Sequence, residues 1–546
     1  MSFAAAPFHL DAKGLAWVDS TASALRERQK LSHLFTLLSR GTDSDDLDRM
    51  ARFQPGGVTR LQGPDLAAER AVLDRLNAAA AVPLVVSADL EGSRMSLADG
   101  VEFPNPIALA ALDDEALTEN LSRLMAEEAR ARGIHWSFTP LLDINAAWRS
   151  PIVATRGFGS DPDRILRHAL AQIRGFRAAG VGATLKHWPG EGYDDRDQHL
   201  VTTINPLSLE EWERTFGRLY RAGIAAGALA VMSAHIALPA FARAHGAEGL
   251  EAFRPASISR LLNQILLREH LGFQGLIVSD ATPMAGLGAW GPRSQTLPEL
   301  IASGCDVILF QRDPEEDLRF LQDALDDGRL DWSRVEDALR RQLALKAALG
   351  LHEPAERPAA PDLPAARARA RDAIRRAPTL VKDVAGTLPL SPERHRRVLV
   401  MTQGIVMPFV PAPIPFALPE MLAARGFEVT PYVPGTPIDP DATDLVLILH
   451  GEETLLTRGR IFLDWLGLTG QFGAAMERRW HEIPTVLVSF GYPYLLYDAP
   501  RVPTYVNAWQ STETMQEAVV DALLGLTPWN RQSPVDPFCG LEDARY

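Results

Sequence analysis

Short apolar runs, several of them rich in Val and Ile, recur along the first part of the chain. Each is about four to eight residues long and is bounded by polar or glycine-containing segments, a pattern typical of buried β-strands. The runs are GGVTRL near Gly57, PLVVSAD near Val85, GIHWSFTP near Trp136, VGATLKH near Thr184, LAVMSAH near Val231, GLIVSD near Ile277 and CDVILF near Val307. We predict a strand at each of them.

Longer stretches rich in Ala, Leu, Arg and Glu separate most of these runs. Two examples are ALTENLSRLMAEEARARG at 116–133 and SRLLNQILLREHLG at 259–272, which have helical spacing and end on glycines placed as C-caps. Alternating strands and helices imply a parallel sheet with right-handed crossovers. Seven or eight such units favour a (β/α)8 TIM-type barrel over an open sheet. The pattern does not place the eighth strand.

A proline-rich segment follows Leu351 and predicts a boundary between two domains. The segment EPAERPAAPDLPAARARARDAIRRAP combines prolines with small and charged residues, as an exposed linker followed by a basic helix does. The runs RRVLVMT, DLVLILH and IPTVLVSFG come after it. We therefore predict a catalytic barrel at 1–351, a linker at 352–364 and a smaller three-layer α/β sandwich domain at 365–546. No helix of that domain opens on a glycine-rich phosphate loop, so we predict no nucleotide site there.

Charge and cysteine content restrict the classes of partner. The chain has 55 Lys and Arg residues against 69 Asp and Glu, a net charge of −14, which argues against nucleic-acid backbones and anionic membrane surfaces. Cys305 and Cys539 are far apart and form neither a disulfide framework nor a metal-ligand pattern. No secretion signal and no membrane-length apolar stretch is evident. We expect a cytoplasmic protein with an uncharged or locally recognised partner; its oligomeric state is open.

Polar and ionisable side chains follow the predicted strands. In a barrel, the carboxyl ends of the strands converge on one face, where the loops build the active site. Residues far apart in sequence therefore become neighbours around one pocket. The residues in question are Asp89, Glu91, Asp143, Asn145, Lys186, His187, Ser233, His235, Asp280 and Gln311.

The loop KHWPGEGYDDRDQH at 186–199 carries the first candidate chemistry. It is too polar for a packing element, and its glycines and proline permit a tight turn. Asp197 and His199 stand at i and i+2, so both side chains can project to the same side of an extended stretch. A carboxylate bonded to one ring nitrogen fixes the imidazole tautomer and makes the other nitrogen more basic. The spacing permits an acid/base dyad.

Asp280 is the second candidate, at the mouth of the predicted strand LIVSD. Ser-Asp at such a junction is also a common helix N-cap. An ionised carboxylate facing an anomeric carbon, with a proton donor on the leaving-group side, is the minimum equipment for double-displacement glycoside hydrolysis. Asp280 together with Asp197 and His199 fits that requirement.

The ordered motifs of the first ~345 residues resemble those of glycoside hydrolase family 3, specifically its bacterial β-N-acetylglucosaminidase branch. The similarity extends to the C-terminal α/β domain, which is joined through TLVKD and TLPLSP. The matching barrel segments are DLEG at 89–92, FTPLLDIN at 138–145, RGFG at 156–159, KHWPGEGYDDRDQH at 186–199, VMSAH at 231–235 and SDATPM at 279–284.

The resemblance implies roles for individual residues. It makes Asp280 the nucleophile that forms a covalent glycosyl-enzyme, and His199, held by Asp197, the acid/base. It implies no metal and no cofactor. The substrate would be a small saccharide or glycoconjugate bearing terminal β-linked N-acetylglucosamine. The residues predicted to bind it are Asp89, Arg156, Lys186, His187, Glu191, His235 and Met284.

Two positions depart from the family pattern, and other functions stay open. Most relatives of the branch have a second histidine where this chain has Glu191, and many that process muropeptides have an arginine where it has Leu97. Hydrolysis with retention is the leading hypothesis. A phosphorylase is an alternative, because a histidine acid/base repels phosphate less than a carboxylate does. A non-catalytic sugar-binding protein is a third.

Overall fold

The computed structural model describes residues 3–354, 356–408 and 410–546. Met1, Ser2, Ala355 of the predicted linker and Phe409 lie outside the described residues. Eight parallel strands, each paired with its neighbours, close into a barrel and confirm the predicted fold class. They are β1 (Phe35–Arg40), β2 (Gly57–Leu61), β3 (Val85–Ala88), β4 (Trp136–Ser137), β5 (Gly182–Trp188), β6 (Ala230–Ser233), β7 (Leu276–Ala281) and β8 (Val307–Leu309).

The strand that the sequence pattern did not place is the first one, β1. It pairs with β2 on one side and with β8 on the other, so it closes the barrel. The side chain of Gln311, just after β8, accepts a hydrogen bond from the Leu38 N–H at 2.8 Å and donates to the Leu38 carbonyl at 3.1 Å. The segment FTLLSR directly follows a helix and includes two hydroxyl residues, so its apolar run is short.

Helices cover the outside of the barrel. The predicted helix at 116–133 is present as Glu115–Ala131, and the one at 259–272 is a π-helix, Leu261–His270. A short pair of strands, Thr203–Ile204 and Ile236–Ala237, joins two loops above the barrel. The other helices of this part are Ala12–Ala24, Glu27–His33, Ser44–Phe53, Leu66–Ala79, Pro106–Leu112, Pro162–Ala178, Leu209–Trp212, Glu213–Gly217, Arg218–Ala225, Pro239–Ala244, Gly249–Phe253, Ala256–Ile258, Ala285–Gly288, Arg293–Ala302, Pro314–Asp326 and Trp332–Ala348.

The C-terminal part is built on a mixed sheet in the order β9-β14-β13-β12-β10-β11. Its strands are β9 (Thr379–Asp383), β10 (Arg397–Val406), β11 (Glu428–Pro431), β12 (Leu445–Glu452), β13 (Thr485–Ser489) and β14 (Thr504–Asn507). Only β9 runs antiparallel to its neighbour. The three apolar runs of the sequence are the central strands β10, β12 and β13, which is consistent with their continuous hydrophobic character.

Helices of the C-terminal part connect the sheet to the barrel. Leu363–Arg375, the predicted basic helix, packs on Glu513–Leu523 and on the barrel helix Glu115–Ala131. The domain limits at 351 and 365 stay predictions. The remaining helices are Leu418–Ala423, Pro440–Ala442, Trp465–Thr469, Phe472–Met476, Leu495–Tyr497 and Asp543–Arg545. Among the helices of the described residues, none combines the length and the apolar character that a membrane crossing needs.

Candidate active site

Four charged side chains form a chain of ion pairs at the carboxyl ends of β3 and β5. Lys186 Nζ lies 2.8 Å from Asp89 Oδ1 and 2.7 Å from Glu91 Oε1. Arg156 donates two hydrogen bonds to Glu91, at 2.8 and 2.9 Å. The side chains of Lys186 and Glu91 are each 2% exposed, whereas that of Asp89 is 35% exposed. Asp89 is therefore the member of this group that a ligand reaches most directly.

The charges of this group are fixed by their mutual contacts. Burial by itself would raise the pKa of Glu91, but Arg156 and Lys186 hold it far below the usual range of a glutamate. Burial likewise opposes the charged form of Lys186, and the carboxylates of Asp89 and Glu91 raise its pKa. Glu91 and Lys186 are thus held in their ionised forms. Charged donors and acceptors of this kind suit recognition of sugar hydroxyls.

His187 is held by Asp143, a fully buried carboxylate that follows β4. The His187 Nδ1 atom lies 2.6 Å from Asp143 Oδ2, and its backbone N–H donates to Asp143 Oδ1 at 2.9 Å. Burial would raise the pKa of Asp143, but His187 and two backbone N–H groups lower it. The ionised Asp143 therefore places the proton of His187 on Nδ1 and leaves Nε2 for other contacts.

Asp280, the predicted nucleophile, lies at the end of β7 beside three imidazoles. Burial would raise the pKa of Asp280, but the imidazoles of His187, His235 and His199 and the Ala281 N–H hold it below its ordinary value. Asp280 Oδ1 accepts the Ala281 N–H at 2.7 Å. The carboxylate is thus ionised at neutral pH, the state that nucleophilic attack requires.

The ring of His235, predicted to bind substrate, is engaged by the protein on both sides. Its Nδ1 lies 2.9 Å from Ser257 Oγ and its Nε2 lies 3.0 Å from the Ala281 carbonyl. The residue is completely buried. These contacts connect His235 to the backbone that carries Asp280, so they orient the predicted nucleophile. Met284 is also buried, and its N–H donates to the Ala281 carbonyl at 3.1 Å.

Asp197 and His199 are hydrogen-bonded to each other at a turn, and not along the extended stretch that their spacing suggested. Asp197 Oδ1 lies 2.7 Å from His199 Nδ1 and accepts the His199 backbone N–H at 2.8 Å. The Asp197 side chain is buried, and that of His199 is 24% exposed. Burial would raise the pKa of Asp197, but its bonds to His199 and to the Thr457 N–H lower it. An ionised, buried carboxylate therefore orients an accessible imidazole.

Close backbone packing shapes the loop that carries this pair. Gly192 has φ +109°, and a Cβ atom there would lie 1.9 Å from the Ile144 carbonyl oxygen. The N–H groups of Ala146 and Ala147 donate to the Gly192 carbonyl at 3.1 and 2.7 Å. Only glycine fits this approach. The loop after β5 is thereby tied to the loop after β4.

Residues of the C-terminal part complete the site. The Thr457 N–H donates to Asp197 Oδ2 at 2.8 Å. Glu453, four residues earlier, accepts hydrogen bonds from Ser93 Oγ at 3.0 Å and from Ser511 Oγ at 2.7 Å. The loop after β12 therefore lies against the barrel loops on the acid/base side.

Three residues that the structure brings into the site have no role in the sequence-based predictions. Asp143 belongs to the segment FTPLLDIN, so a signal for it was present. Gln198, between the dyad residues, donates to Glu191 Oε2 at 3.1 Å and accepts the His235 N–H at 3.1 Å. Thr457 contributes through its backbone, and no sequence motif marks it.

One group of buried side chains has the spacing of a possible metal site. A ligand atom of each lies within 4.8 Å of the others in Asp143, His187 and Glu191. The 2.6 Å contact between Asp143 and His187 is shorter than the separation of two atoms bound to one ion at about 2.0 Å each. It has the length of a charge-assisted hydrogen bond. The group is therefore arranged as a hydrogen-bonded cluster.

Comparisons with known proteins identify the family of this chain. The Glycosyl hydrolase family 3 N terminal domain model matches residues 57–345. A Cellulomonas fimi protein named Beta-N-acetylglucosaminidase/beta-glucosidase is 37% identical and covers 99% of both chains. A Beta-hexosaminidase of Stenotrophomonas maltophilia (strain R551-3) is 34% identical over 54% of this chain and 81% of its own length.

Among solved structures, one named Beta-glucoside phosphorylase BglX superimposes with a TM-score of 0.90. It is 34% identical in sequence, and the match covers 100% of this chain and 99% of that one. The similarity thus includes the barrel and the C-terminal sheet. Since the family model matches more than half of the chain and one relative matches its whole length, this protein belongs to glycosyl hydrolase family 3 and is an enzyme of the glycoside hydrolase class.

Proposed function

We propose that this protein cleaves terminal β-linked N-acetylglucosaminides and β-glucosides with net retention of anomeric configuration. The observation that supports this most is the combination of an ionised Asp280 with an accessible His199 that is oriented by a buried Asp197. A nucleophilic carboxylate and a separate proton donor are the groups that double displacement needs.

In the first step, an Asp280 oxygen attacks the anomeric carbon while the bond to the leaving oxygen breaks. His199 Nε2–H gives its proton to that oxygen, so the aglycone departs as a neutral alcohol. In the second step, His199 takes a proton from water, whose oxygen attacks the anomeric carbon and releases Asp280. Asp197 stays ionised throughout. Its negative charge stabilises the imidazolium form of His199, and its hydrogen bond keeps the proton on Nδ1 when His199 is neutral.

The sugar is held by the charged group and by the neighbouring imidazole. Asp89 is the exposed acceptor for a hydroxyl, while Lys186 and Arg156 are donors fixed by Glu91. His187 presents Nε2, since its Nδ1 is bonded to Asp143. We predict that these four side chains contact the sugar ring. Each of them lies at the end of a barrel strand or in the loop that follows a strand.

A panel of p-nitrophenyl glycosides tests the substrate class. We expect release of nitrophenol from the β-N-acetylglucosaminide and the β-glucoside and none from the α-anomers. NMR should detect the β-anomer of the released sugar first. Inverted product would contradict the Asp280 mechanism. Equal blanks for the wild type, Asp280→Ala and His199→Ala would instead favour a non-catalytic sugar-binding protein.

Phosphate is a second candidate for the group that accepts the sugar. A solved structure that matches the whole chain with a TM-score of 0.90 is named a phosphorylase. After the first step His199 is neutral, so a phosphate dianion meets no additional negative charge there. Products formed at about 10 mM phosphate, with sulfate at equal ionic strength as the control, distinguish the two reactions. Sugar 1-phosphate indicates phosphorolysis, and free sugar alone excludes it.

A further inference from the structure

Glu191 is a buried carboxyl group without a cationic counter-ion in direct contact. Its side chain is 2% exposed, and the nearest basic group within ion-pair distance among the described residues is His187 Nδ1, 3.6 Å from Oε2. That nitrogen is already bonded to Asp143 at 2.6 Å. An ionised carboxylate in this position would lack a compensating positive charge. Burial strongly disfavours such an unpaired charge.

The neighbouring charges also favour the protonated form. Four side chains whose charges act on Glu191 come from the end of β7 and from the loops after β4 and β5. Three of the four are carboxylates: Asp143, Arg156, Asp280 and Asp197. Burial and Asp143 together raise the pKa of Glu191 well above that of an ordinary glutamic acid. The protonated form of Glu191 is therefore the favoured one.

The hydrogen bonds identify which oxygen carries that proton. Gln198 Oε1 accepts the His235 N–H at 3.1 Å, so the amide nitrogen of Gln198 is the atom that faces Glu191. It donates to Glu191 Oε2 at 3.1 Å, which makes Oε2 an acceptor. Oε1 is buried and has no hydrogen-bond partner among the described residues. Oε1 is the oxygen left to carry the hydroxyl hydrogen.

We propose that Glu191 is a neutral hydrogen-bond donor of the sugar site, and that its Oε1–H binds a hydroxyl or acetamido oxygen of the bound sugar. This inference rests on the proposed function for the identity of the ligand. It gives the unpartnered buried atom an acceptor, as buried polar groups require. It also keeps a fourth negative charge away from Asp280, Asp197 and Asp143, so that Asp280 remains the nucleophile of the group.

Two other arrangements make different predictions. The Tyr220 hydroxyl is likewise buried without a partner among the described residues, and its charge environment includes Asp143 and Glu191. In the first arrangement Glu191 donates its hydrogen bond to a water molecule that also binds the Tyr220 hydroxyl. Tyr220→Phe would then reproduce the effect of removing Glu191. A metal ion bound by Asp143, His187 and Glu191 would instead be lost on chelation.

Matched variants of the full-length protein separate these arrangements. Glu191→Gln retains an N–H donor and an acceptor, whereas Glu191→Ala removes both. We expect Glu191→Ala to lower kcat/KM about 10- to 100-fold, the size of one hydrogen bond to a ligand, and Glu191→Gln and Tyr220→Phe to stay within about 5-fold of the wild type. Sugar binding by the wild type should also weaken at alkaline pH as Glu191 ionises, and Glu191→Gln should lose that decline.

Calorimetric binding of N-acetylglucosamine and of glucose gives a readout that does not need turnover. Weaker binding of both sugars by Glu191→Ala, with near-normal binding by Glu191→Gln, supports the inference even if the proposed reaction fails. A Gln variant as impaired as the Ala variant overturns it. So does sugar binding that weakens equally at alkaline pH in Glu191→Gln and in the wild type, an equal effect of Tyr220→Phe, or one equivalent of metal that EDTA removes together with activity.

Discussion

The backbone N–H of Thr457 donates a 2.8 Å hydrogen bond to Asp197 Oδ2, across 260 residues of sequence. Asp197 uses its other oxygen for His199, so the C-terminal part and the acid/base imidazole share one carboxylate. The bond stabilises the ionised form of Asp197. The loop after β12 thus belongs to the proposed catalytic machinery.

Thr457 variants should separate the contribution of this N–H from that of the side chain. Thr457 has φ +66°, a conformation that glycine adopts freely and proline cannot. We expect Thr457→Gly to keep activity within about threefold of the wild type and Thr457→Pro to lower kcat about 10-fold or more. The acidic limb of the pH–rate profile should move to higher pH in the proline variant, because Asp197 loses a donor. Equal profiles for both variants would argue against the contact.

Replacement of the predicted nucleophile should abolish turnover without unfolding the protein. Asp280→Asn removes the charge at the end of β7, and we expect kcat to fall by about 10³-fold or more. Its melting temperature should stay close to that of the wild type. Asp194→Asn is a control, because Asp194 bonds Arg196 and the Ile204 N–H in the same loop region. A small loss for Asp280→Asn would place the nucleophile elsewhere.

Loss of the acid/base pair should depend on the leaving group. With p-nitrophenyl substrates, His199→Ala and Asp197→Asn should lower the rate about 10²- to 10⁴-fold. A dinitrophenyl leaving group needs no proton, so formation of the glycosyl-enzyme should be largely restored and its breakdown should become rate-limiting. A burst of dinitrophenol in stopped-flow measurements checks this. Equal losses with both leaving groups would contradict the assignment.

A buried lysine at the opposite end of the barrel predicts how stability varies with pH. Lys346 Nζ has no partner among the described residues, and burial lowers the pKa of Lys346 to about 7. The unfolded chain binds a proton here up to about pH 10.4, so the folded state gains stability as pH rises between these values. Lys346→Met should stabilise the fold by about 3–5 kcal/mol at pH 7, and the difference should shrink toward pH 10.

Denaturant unfolding at several pH values measures this difference. Lys13→Met, at a side chain that is 69% exposed, is the control and should show no comparable gain at pH 7. Because Lys346 influences His33 and His135, which precede β1 and β4, it lies away from the strand ends that carry the site. Activity of Lys346→Met should therefore be unchanged. A constant difference at all pH values would exclude a titrating lysine.

The sequence by itself determined the features that depend on neighbours along the chain. Seven barrel strands follow from short apolar runs. The i and i+2 spacing of Asp197 and His199 permitted a hydrogen-bonded pair, which the structure forms at a turn. The position of Asp280 near the end of β7 follows from the apolar run before it. Convergence of these residues on one face is a general property of a parallel barrel.

Tertiary structure decided what depends on residues distant in sequence and on exclusion of water. The placement of β1 between β2 and β8 is set by barrel closure, and the Thr457–Asp197 bond by the docking of a second domain. Burial of Glu191 among three carboxylates raises its pKa and favours the protonated form, which no local pattern encodes. These features are determined by desolvation and by packing between residues distant in sequence, and not by residue type alone.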